Sequence, residues 1–362
     1  MTLRQRARAA RPDPNRWYPA CWSQELGRET VREVVLWDRS IALFRDVHGV
    51  VHALANRCAH RPVPLTLGEV RGCELVCPYH GWSYAGDGAL VDIPHTLFGK
   101  KKPRLRVPRV ATRERYGLVW IFGGDPELAD RAALPRIEPL DGGWPSIGID
   151  AVWKAHHSAV IDTVLDLTHD HLHRRFQPFT SPELEQLDIE DQAVHAHYRL
   201  QVGAAPYLQP FLPVGADMSA MTMSYIYPHH CSNTGGVVRH WTLVRPIDVR
   251  TTHVYVVFAV RGARIPGTRR SMPRALVQTS LPLLRQFYIA PLFEQDRAIL
   301  EAEQRLHEAD PGAPAPELNP VVRAVHQLAV RCAPDQSSDS SCLRKSASAI
   351  DSSTSSRCAS SR

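Results

Sequence analysis

The sequence has few of the features that would place it outside the ordinary globular enzymes. No apolar run approaches the roughly 20 residues that a membrane-spanning helix requires, and the longest, VYVVFAV from Val254, is the size of a strand. The basic N-terminal stretch MTLRQRARAARPDPNRW is not followed by an apolar segment, so it does not have the pattern of a secretory signal. We therefore expect a cytoplasmic protein that has no membrane partner.

A strong charge imbalance is also absent. The 362 residues include 43 basic and 37 acidic side chains, and the resulting net charge of +6 does not by itself indicate a nucleic-acid partner. The sequence has only eight cysteines, unevenly spread. Without a secretion signal, metal ligation is a better expectation for them than disulfide bonds.

The pattern along the chain predicts an α+β protein of two domains. Short strand-like runs separated by turn residues at 16–125 predict a small antiparallel β-domain. A Pro- and Gly-rich connector at 126–148 precedes 149–331, where strand and helix patterns predict an antiparallel sheet with helices. Residues 1–15 are expected to be a disordered arm, and 332–362, which are Ser-rich with almost no large apolar residues, a disordered tail.

The stretch CAHRPVPLTLGEVRGCELVCPYHGW contains two short pairs of candidate metal ligands. Cys58 and His60 form a C-x-H pair, and Cys77 and His80 form a C-x-x-H pair. Two Cys and two His can also hold one zinc ion, commonly with wider gaps between the paired ligands. The spacing here fits a two-iron cluster with two Cys on one iron and two His on the other, the Rieske arrangement.

The other cysteines do not fit this pattern. Cys73 lies inside the stretch but outside both pairs, and we expect it to be a free thiol that binds no metal. Cys332, Cys342 and Cys358 lie in or beside the Ser-rich tail and are not expected to be ligands either.

A second candidate metal site lies in VIDTVLDLTHDHLHRRF. On a helix, the spacings of four, three and four residues place Asp162, Asp166, His169 and His173 on one face. Two imidazoles one turn apart, with a carboxylate one turn earlier, can bind a metal ion. His171 is two residues from each of these histidines, about 200° around the helix, and is expected to face away.

A carboxylate far along the chain supports this site. In PLFEQDRAILEAEQRL, Asp296 lies in the middle of an apolar helical stripe formed by Leu292, Phe293, Ile299, Leu300 and Leu306. A carboxylate there would be buried and would need a partner or a metal ion. Glu303 shares the stripe, so a structural salt bridge remains possible for one of the two. The polar DLTHDHLHRR segment could also be an ordinary surface.

Together the two motifs resemble those of the Rieske non-haem iron oxygenases. The similarity extends from RWYPACWSQEL through CPYHGWSYAGDGALVDIPH to GLVWIFGG, and then to the Asp-x-x-His pattern with its later His and distant carboxylate. Respiratory Rieske proteins carry an extra, disulfide-bonded cysteine in each ligand loop. This sequence has Val63 and Tyr79 at the corresponding points, so the respiratory type is not expected.

The resemblance implies a role for each of these residues. A [2Fe–2S] cluster on Cys58, His60, Cys77 and His80 would pass electrons to a mononuclear Fe(II) on His169, His173 and Asp296, the two-His-one-carboxylate facial triad. By the same resemblance, transfer runs between the subunits of a homotrimer. Asp166 would bridge the two centres by accepting hydrogen bonds from His169 and from a cluster histidine, expected to be His80. Asp162 would have a supporting role.

The implied activity is that of a terminal oxygenase component. It would use O2 to hydroxylate or oxidatively demethylate a small hydrophobic or aromatic compound. Its electrons would come from a ferredoxin or flavin reductase, so NAD(P)H would act only indirectly. The short chain resembles the compact members, such as dicamba and vanillate O-demethylases.

Several features remain open on the sequence alone. The segments PYLQPFLPVG and MSAMTMSYIYPHH could line a substrate pocket or belong to an ordinary core. Five other histidines are expected to be structural or surface residues: His156, His157, His229, His230 and His240. Two alternative functions remain: an electron carrier with a Rieske cluster, and a degenerate oxygenase that serves as a binding subunit. The second His/Asp site argues against the electron carrier.

Overall fold

The computed structural model describes residues 1–95, 103–173, 176, 179–202 and 217–334. Within them the chain divides into a smaller unit, residues 13–134, and a larger unit, residues 1–12 and 135–333. The division after residue 134 lies inside the expected connector. No helix in the described part of the chain is both long enough and apolar enough to cross a membrane.

The smaller unit consists of two antiparallel sheets. The six-stranded sheet has the order β1-β10-β9-β4-β3-β2 and the four-stranded sheet the order β5-β6-β7-β8. The strands are β1 (Trp17–Trp22), β2 (Thr30–Leu36), β3 (Arg39–Arg45), β4 (Val51–Ala55), β5 (Glu69–Arg71), β6 (Glu74–Val76), β7 (Ser83–Ala85), β8 (Leu90–Asp92), β9 (Arg109–Arg115) and β10 (Leu118–Phe122).

The core of the smaller unit reaches directly to the cysteine loops. Phe44, Leu54 and Leu75 have no exposed surface, and they pack in one cluster with Cys58 and Cys77. Both loops thus extend from a close-packed apolar core, which limits the movement of the cysteine sulfurs.

The larger unit contains one seven-stranded antiparallel sheet of order β11-β17-β16-β15-β14-β13-β12. Its strands are β11 (Ser146–Trp153), β12 (Phe179–Ile189), β13 (Ala193–Val202), β14 (Ala220–Ile226), β15 (His229–Thr234), β16 (Val238–Pro246) and β17 (Thr252–Val260). The α-helices among the described residues are all in this unit: α1 (Leu3–Ala9), α2 (Glu138–Asp141), α3 (His157–Leu165), α4 (Arg274–Leu284), α5 (Ala290–Ala309) and α6 (Pro320–Cys332). A π-helical turn, Arg285–Ile289, joins α4 to α5.

One face of this sheet packs against the helices. Val194, Met223 and Tyr225 share a buried cluster with Val160 of α3 and Phe293 of α5. Residues that pair across neighbouring strands lie on the same face, so the sheet register assigns the remaining positions to this helix-covered face or to the opposite one. The α+β class and the antiparallel sheets are confirmed.

The expectation of a disordered arm at residues 1–15 is wrong for its first part. Leu3–Ala9 form α1, which begins with a capping box between Thr2 and Gln5 and packs against α6. Ala7 and Arg8 are buried there. Helix α6, like β12 and β15, was not expected from the sequence pattern. Cys332 closes α6, and the rest of the predicted tail from residue 335 lies outside the described residues.

Candidate metal centres

Two loops of the same construction carry the first four candidate ligands. The backbone N–H of Cys58 donates to the carbonyl of Val63 at 3.0 Å, and that of Cys77 donates to the carbonyl of Trp82 at 2.8 Å. Each bond joins a cysteine to the residue five positions later. The two loops are therefore closed in the same way, and each presents one cysteine and one histidine.

The sulfurs lie on the inner side of the loops. Cys58 and Cys77 are 4% and 2% exposed, and the Sγ of Cys58 is 3.1 Å from the hydroxyl of Tyr84. Burial raises the pKa of Cys77. Burial also opposes ionisation of Cys58, but the hydrogen bonds from Tyr84 and from the His60 backbone outweigh it, so the pKa of Cys58 is lowered. The environment of Cys58 therefore favours a thiolate, the form that binds metal.

The imidazoles lie on the outer side of the same loops. The ring centroids of His60 and His80 are 4.6 Å apart, and His60 stacks on Trp82 at 4.4 Å. Partial desolvation, His60 and Arg61 lower the pKa of His80, which favours the neutral ring that a metal ion requires.

A glycine allows the second loop its shape. Gly81 has φ +70°, and a Cβ atom there would lie 2.8 Å from the Cγ of Pro94. Any larger residue would therefore meet both backbone strain and a steric clash. Its N–H donates to the carbonyl of Cys77 at 3.1 Å, which keeps His80 within the turn.

The sulfurs of Cys58 and Cys77 lie on the inner side of the loops, and the rings of His60 and His80 lie on the outer side. This arrangement fits two metal ions better than one. A single tetrahedral zinc ion needs all four donor atoms around one point. Among the described residues, the group whose donor atoms all lie within 4.8 Å of one another is a different one, His169, His173 and Asp296. The donor set and its layering fit a [2Fe–2S] cluster with cysteines on the inner iron and histidines on the outer iron.

The expectation of a free thiol at Cys73 is wrong. Cys73 is disulfide-bonded, whereas the other five described cysteines are free. Cys73 follows Gly72 in the turn between β5 and β6 and is only half-buried. The side chain is thus at the rim of the unit rather than in its core, and no sequence pattern pointed to a partner.

The second candidate site begins where α3 ends. The helix stops at Leu165, and Asp166 caps it with an extended backbone, φ −90° and ψ 98°. Leu167–His173 then form 3₁₀ turns with a kink at His169. The prediction that one continuous helix face carries Asp162, Asp166 and both histidines is therefore wrong.

The structure nevertheless brings together the two histidines and the distant carboxylate. The Oδ1 of Asp296 in α5 is 3.7 Å from the Nε2 of His169 and 3.2 Å from the Nε2 of His173. Two donors about 2.1 Å from one metal ion and at right angles are roughly 3 Å apart. The observed distances are close to this spacing, so the three side chains fit one ion.

The hydrogen bonds around the three side chains leave the metal-facing atoms uncommitted. Nδ1 of His169 donates to the backbone carbonyl of Asp166, and Nδ1 of His173 donates to the Oε1 of Gln295 at 2.8 Å. Both Nε2 atoms therefore carry free lone pairs. The Oδ1 of Asp296 is buried and accepts no well-directed hydrogen bond from the described residues. A buried carboxylate oxygen without a donor is expected where a cation belongs.

The carboxylate of Asp166 has other partners than the ones expected. Its Oδ1 accepts from the backbone N–H of Thr168 at 2.9 Å and from the Nδ2 of Asn319 at 3.0 Å. The expected hydrogen bond from His169 goes to the backbone carbonyl of Asp166 instead. Asn319, the N-cap of α6, was missed because nothing in its local sequence links it to residues 153 positions earlier.

Asp162 and Glu303 take part in ion pairs rather than in the metal group. Both carboxylate oxygens of Asp162 are 2.9 Å from the Nε2 of the buried His326 in α6. Glu303 contacts Arg4 and, at 2.6 Å, Arg8 of α1. The possibility of a structural salt bridge at Glu303 is thus confirmed.

The remaining expected residues divide into three groups. His171 is exposed and, like His156, His157, His229, His230 and His240, is not in the metal-binding group. Met221, Met223 and Tyr225 from the second pocket candidate are buried on the helix-covered face. The first pocket candidate, PYLQPFLPVG, lies outside the described residues.

Two family models match the chain, one on each unit. The Rieske [2Fe-2S] domain matches residues 16–100, and the vanillate O-demethylase oxygenase C-terminal domain matches residues 153–332. The first match covers both cysteine loops, and the second covers both histidines, Asp296 and all of α6.

Solved structures share the fold of this chain. Dicamba monooxygenase bound to dicamba superposes with a TM-score of 0.66 at 22% identity, over 88% of this chain and 97% of the other. Pseudomonas putida CBB5 NdmA with caffeine gives 0.64 at 21% identity, over 87% and 88%. At these identities the likeness establishes the fold.

Proteins similar in sequence show the family as well as the fold. The dicamba O-demethylase oxygenase component of Stenotrophomonas maltophilia is 35% identical over 44% of this chain and 47% of its own length. The 4beta-methylsterol monooxygenase of Methylococcus capsulatus is 37% identical over 333 residues, 90% of each chain. A likeness of that extent shows that this chain belongs to the Rieske non-haem iron oxygenases, as an oxygenase component that uses O2, a [2Fe–2S] cluster, a mononuclear iron and electrons from a partner protein.

Proposed function

We propose that this oxygenase component oxidises a methyl carbon of an apolar, polycyclic substrate of the sterol type. The proposal follows the Methylococcus capsulatus relative, whose similarity extends over both units, whereas the dicamba O-demethylase is matched over less than half of this chain. Both names describe attack on a methyl group. The buried Met221, Met223 and Tyr225 on the helix-covered sheet face suit an apolar substrate as well as a core.

We assign the mononuclear iron to His169, His173 and Asp296. One observation carries this assignment: the buried, hydrogen-bond-free Oδ1 of Asp296 faces the Nε2 atoms of both histidines. The layered sulfurs and imidazoles support the assignment of the cluster to Cys58, His60, Cys77 and His80.

The chain's own residues prepare the mononuclear site. When bound, the iron supplies the activation of O2, and the cluster supplies electrons one at a time. Three protein ligands leave the other coordination positions open for O2 and substrate. Gln295 and the Asp166 carbonyl hold the Nδ1 protons, so the imidazoles keep the tautomer that binds metal. Tyr288 belongs to the apolar core cluster of the larger unit, and its hydroxyl donates to the Phe176 carbonyl.

We further propose that Asp166 links the mononuclear site to the cluster of a neighbouring subunit in a homotrimer. Thr168 and Asn319 fix its Oδ1, while Oδ2 accepts no hydrogen bond from the residues that the structure describes. That oxygen is available for His80 of the neighbouring subunit. Co-expression of His169→Ala chains with Cys77→Ala chains tests this, because mixed trimers regain activity only if electrons cross between subunits.

The electron donor is proposed to be a ferredoxin or a flavin reductase, with NAD(P)H acting through that reductase. The exposed side chain of Tyr79 and the partly exposed ring of His80 support this proposal, because a donor could approach the proposed cluster site from that side. A cytoplasmic location stays a prediction, which fractionation of the native host would test.

Turnover with labelled oxygen tests the proposed reaction. Iron-loaded enzyme with a reductase, a ferredoxin and ¹⁸O2 should convert a 4-methylated steroid to a hydroxymethyl product that carries one labelled oxygen. O-demethylation, the second candidate, would instead release formaldehyde from a methoxy-aromatic compound in the same panel. Turnover of methoxy-aromatics alone would overturn the sterol-type proposal.

Metal analysis tests the ligand assignment separately. Each chain should contain about three irons and two sulfides. Asp296→Ala should lower the iron content by one while the visible absorption of the cluster remains. An unchanged iron content in Asp296→Ala would remove this residue from the ligand set.

A further inference from the structure

Four polar side chains interrupt the apolar, helix-covered face of the seven-stranded sheet. His230 and Ser232 lie on β15, opposite Thr242 and His240 of β16 respectively, and cross-strand partners share a face. On either side, the same face continues with apolar positions: Met223 and Tyr225 on β14, and Val256 and Phe258 on β17. The four polar residues, which we name the polar patch, thus lie within an apolar wall.

His230 stands out among these four residues. It has no exposed surface, and neither of its ring nitrogens has a hydrogen-bond partner among the described residues. Its neighbour His240 differs, since the Nδ1 of His240 is 2.6 Å from the Oγ of Ser232. Burying two polar ring atoms without partners costs free energy. A bound molecule that supplies the missing hydrogen bonds would offset this cost.

The polar patch lies on the same side of the sheet as the mononuclear site. Helix α3, which leads into His169, packs against β14, β15 and β16. The rings of His230 and His240 are 5.1 Å apart. Burial lowers the pKa of His240 to about 4, and Asp296 is near enough to oppose that shift. The ring of His230 is therefore beside that of His240, and the charge of Asp296 in the triad acts on His240.

We propose that His230, beside the His240–Ser232 pair, is a substrate-binding residue that hydrogen-bonds an oxygen atom close to the methyl carbon to be oxidised. A neutral imidazole has one donor and one acceptor, which complements a hydroxyl group. In a 4-methylsterol the methyl group and the ring hydroxyl are on adjacent carbons, so a methyl group at the iron brings the hydroxyl near it. This inference rests on the proposed function, because it assigns the polar end of the same substrate site.

Paired ligands that differ in one oxygen test the inference. The probes are a 4,4-dimethyl-3-hydroxysteroid and its 3-deoxy counterpart, and the readout is the EPR signal of the nitric-oxide-treated ferrous enzyme as each is titrated. Wild type should bind the hydroxysteroid about tenfold more tightly or better, the value of one hydrogen bond. His230→Phe should bring the two affinities within about twofold of each other.

Two variants separate binding from folding. His230→Gln keeps a donor and an acceptor and should retain much of the preference. His197→Phe, a histidine that pairs with Thr222 on the opposite face of the sheet, should retain all of it. An unchanged preference in His230→Phe with normal iron content would overturn the inference.

The proposal of a sterol-type substrate can fail without deciding whether His230 binds substrate. If neither steroid perturbs the EPR signal, the substrate class is wrong. His230 is then judged on 2-methoxyphenol, whose hydroxyl and methoxy groups are on adjacent carbons, against methoxybenzene in the same three variants. Equal affinities of wild type for that pair as well would overturn the role of His230.

Discussion

The Nδ1 of His173 donates to the side-chain carbonyl of Gln295 at 2.8 Å, and Gln295 directly precedes Asp296 in α5. One turn of α5 therefore supplies both the proposed carboxylate ligand and the group that orients one of its two imidazole partners. Outer groups of this kind fix the tautomer and the ring orientation of a metal-binding histidine.

Removing this hydrogen bond should weaken iron binding without affecting the cluster. We expect Gln295→Leu to lose about 10- to 100-fold in affinity for the mononuclear iron. Gln295→Glu, which still accepts from Nδ1, should bind nearly as wild type does. The measurement is iron content after dialysis against graded chelator, with cluster absorbance as the internal reference and the exposed Glu294→Gln as the control. Equal iron retention by Gln295→Leu and wild type would contradict the role of Gln295.

Tyr84 should raise the reduction potential of the cluster. Its hydroxyl is 3.1 Å from the Sγ of Cys58, and hydrogen bonds to the sulfurs are one determinant of Fe–S potentials. If the bond is about 1 kcal/mol stronger in the reduced state, Tyr84→Phe lowers the potential by about 40 mV. Spectroelectrochemical titration measures this. Tyr79→Phe, an exposed tyrosine in a ligand loop, should leave the potential unchanged.

The ion pair between α1 and α5 should stabilise the larger unit. Arg8 is 8% exposed, and burial lowers its pKa although Glu303 opposes the shift. Glu303→Gln leaves a buried cation without its partner. Because Glu303 itself is partly exposed, we expect a loss of about 1–2 kcal/mol. The melting temperature should fall by several degrees, and Glu25→Gln, which breaks an exposed pair with Arg32, should barely change it. An identical shift in both variants would contradict this account.

Mild acid should destabilise the larger unit through His156. This residue is the N-cap of α3, and its Nδ1 accepts from the N–H of Ser158 at 3.2 Å. Burial, aided by the nearby His157, Arg8 and His307, lowers the pKa of His156 well below its ordinary value. Below about pH 6.5 the unfolded chain takes up a proton that the folded chain does not, so stability falls as the pH falls.

The expected loss from this residue between pH 7.5 and 5.5 is about 1 kcal/mol. His156→Asn retains a good N-cap but cannot titrate. Its melting temperature should therefore fall less over this pH range than that of wild type, by about 2–4 °C. Parallel pH profiles for the two proteins would show that His156 does not contribute.

The candidate metal-binding residues were accessible from the sequence because they depend on residue type and order. His169, His173 and Asp296 were expected together and are together. The helix that was expected to present them is not there, because Asp166 ends α3 and is held by Asn319 of α6. No Pro or Gly lies between Asp162 and His173 to indicate the break. The helix break at Asp166 is therefore accompanied by a tertiary contact, and local helix propensity does not indicate the break.

The apolar stripe of α5 was read only partly correctly. Phe293 and Leu300 are buried, but Ile299 and Leu306 are 51% and 73% exposed. The buried face includes Gln304 instead, whose Oε1 accepts from the backbone N–H of His156. Hydrophobicity alone could not identify a polar residue that is buried because it satisfies a backbone group.

The division of the chain has a consequence for the order in which it can be completed on the ribosome. Residues 13–134 of the smaller unit form one continuous stretch, so its cysteine loops can fold while the rest is still being made. Helix α1 must wait for α6, some three hundred residues later, before it has its packing surface. The nascent chain can therefore acquire its cluster early, whereas the proposed site of the mononuclear iron is complete only near the end of synthesis, once Asp296 and Asn319 have both emerged.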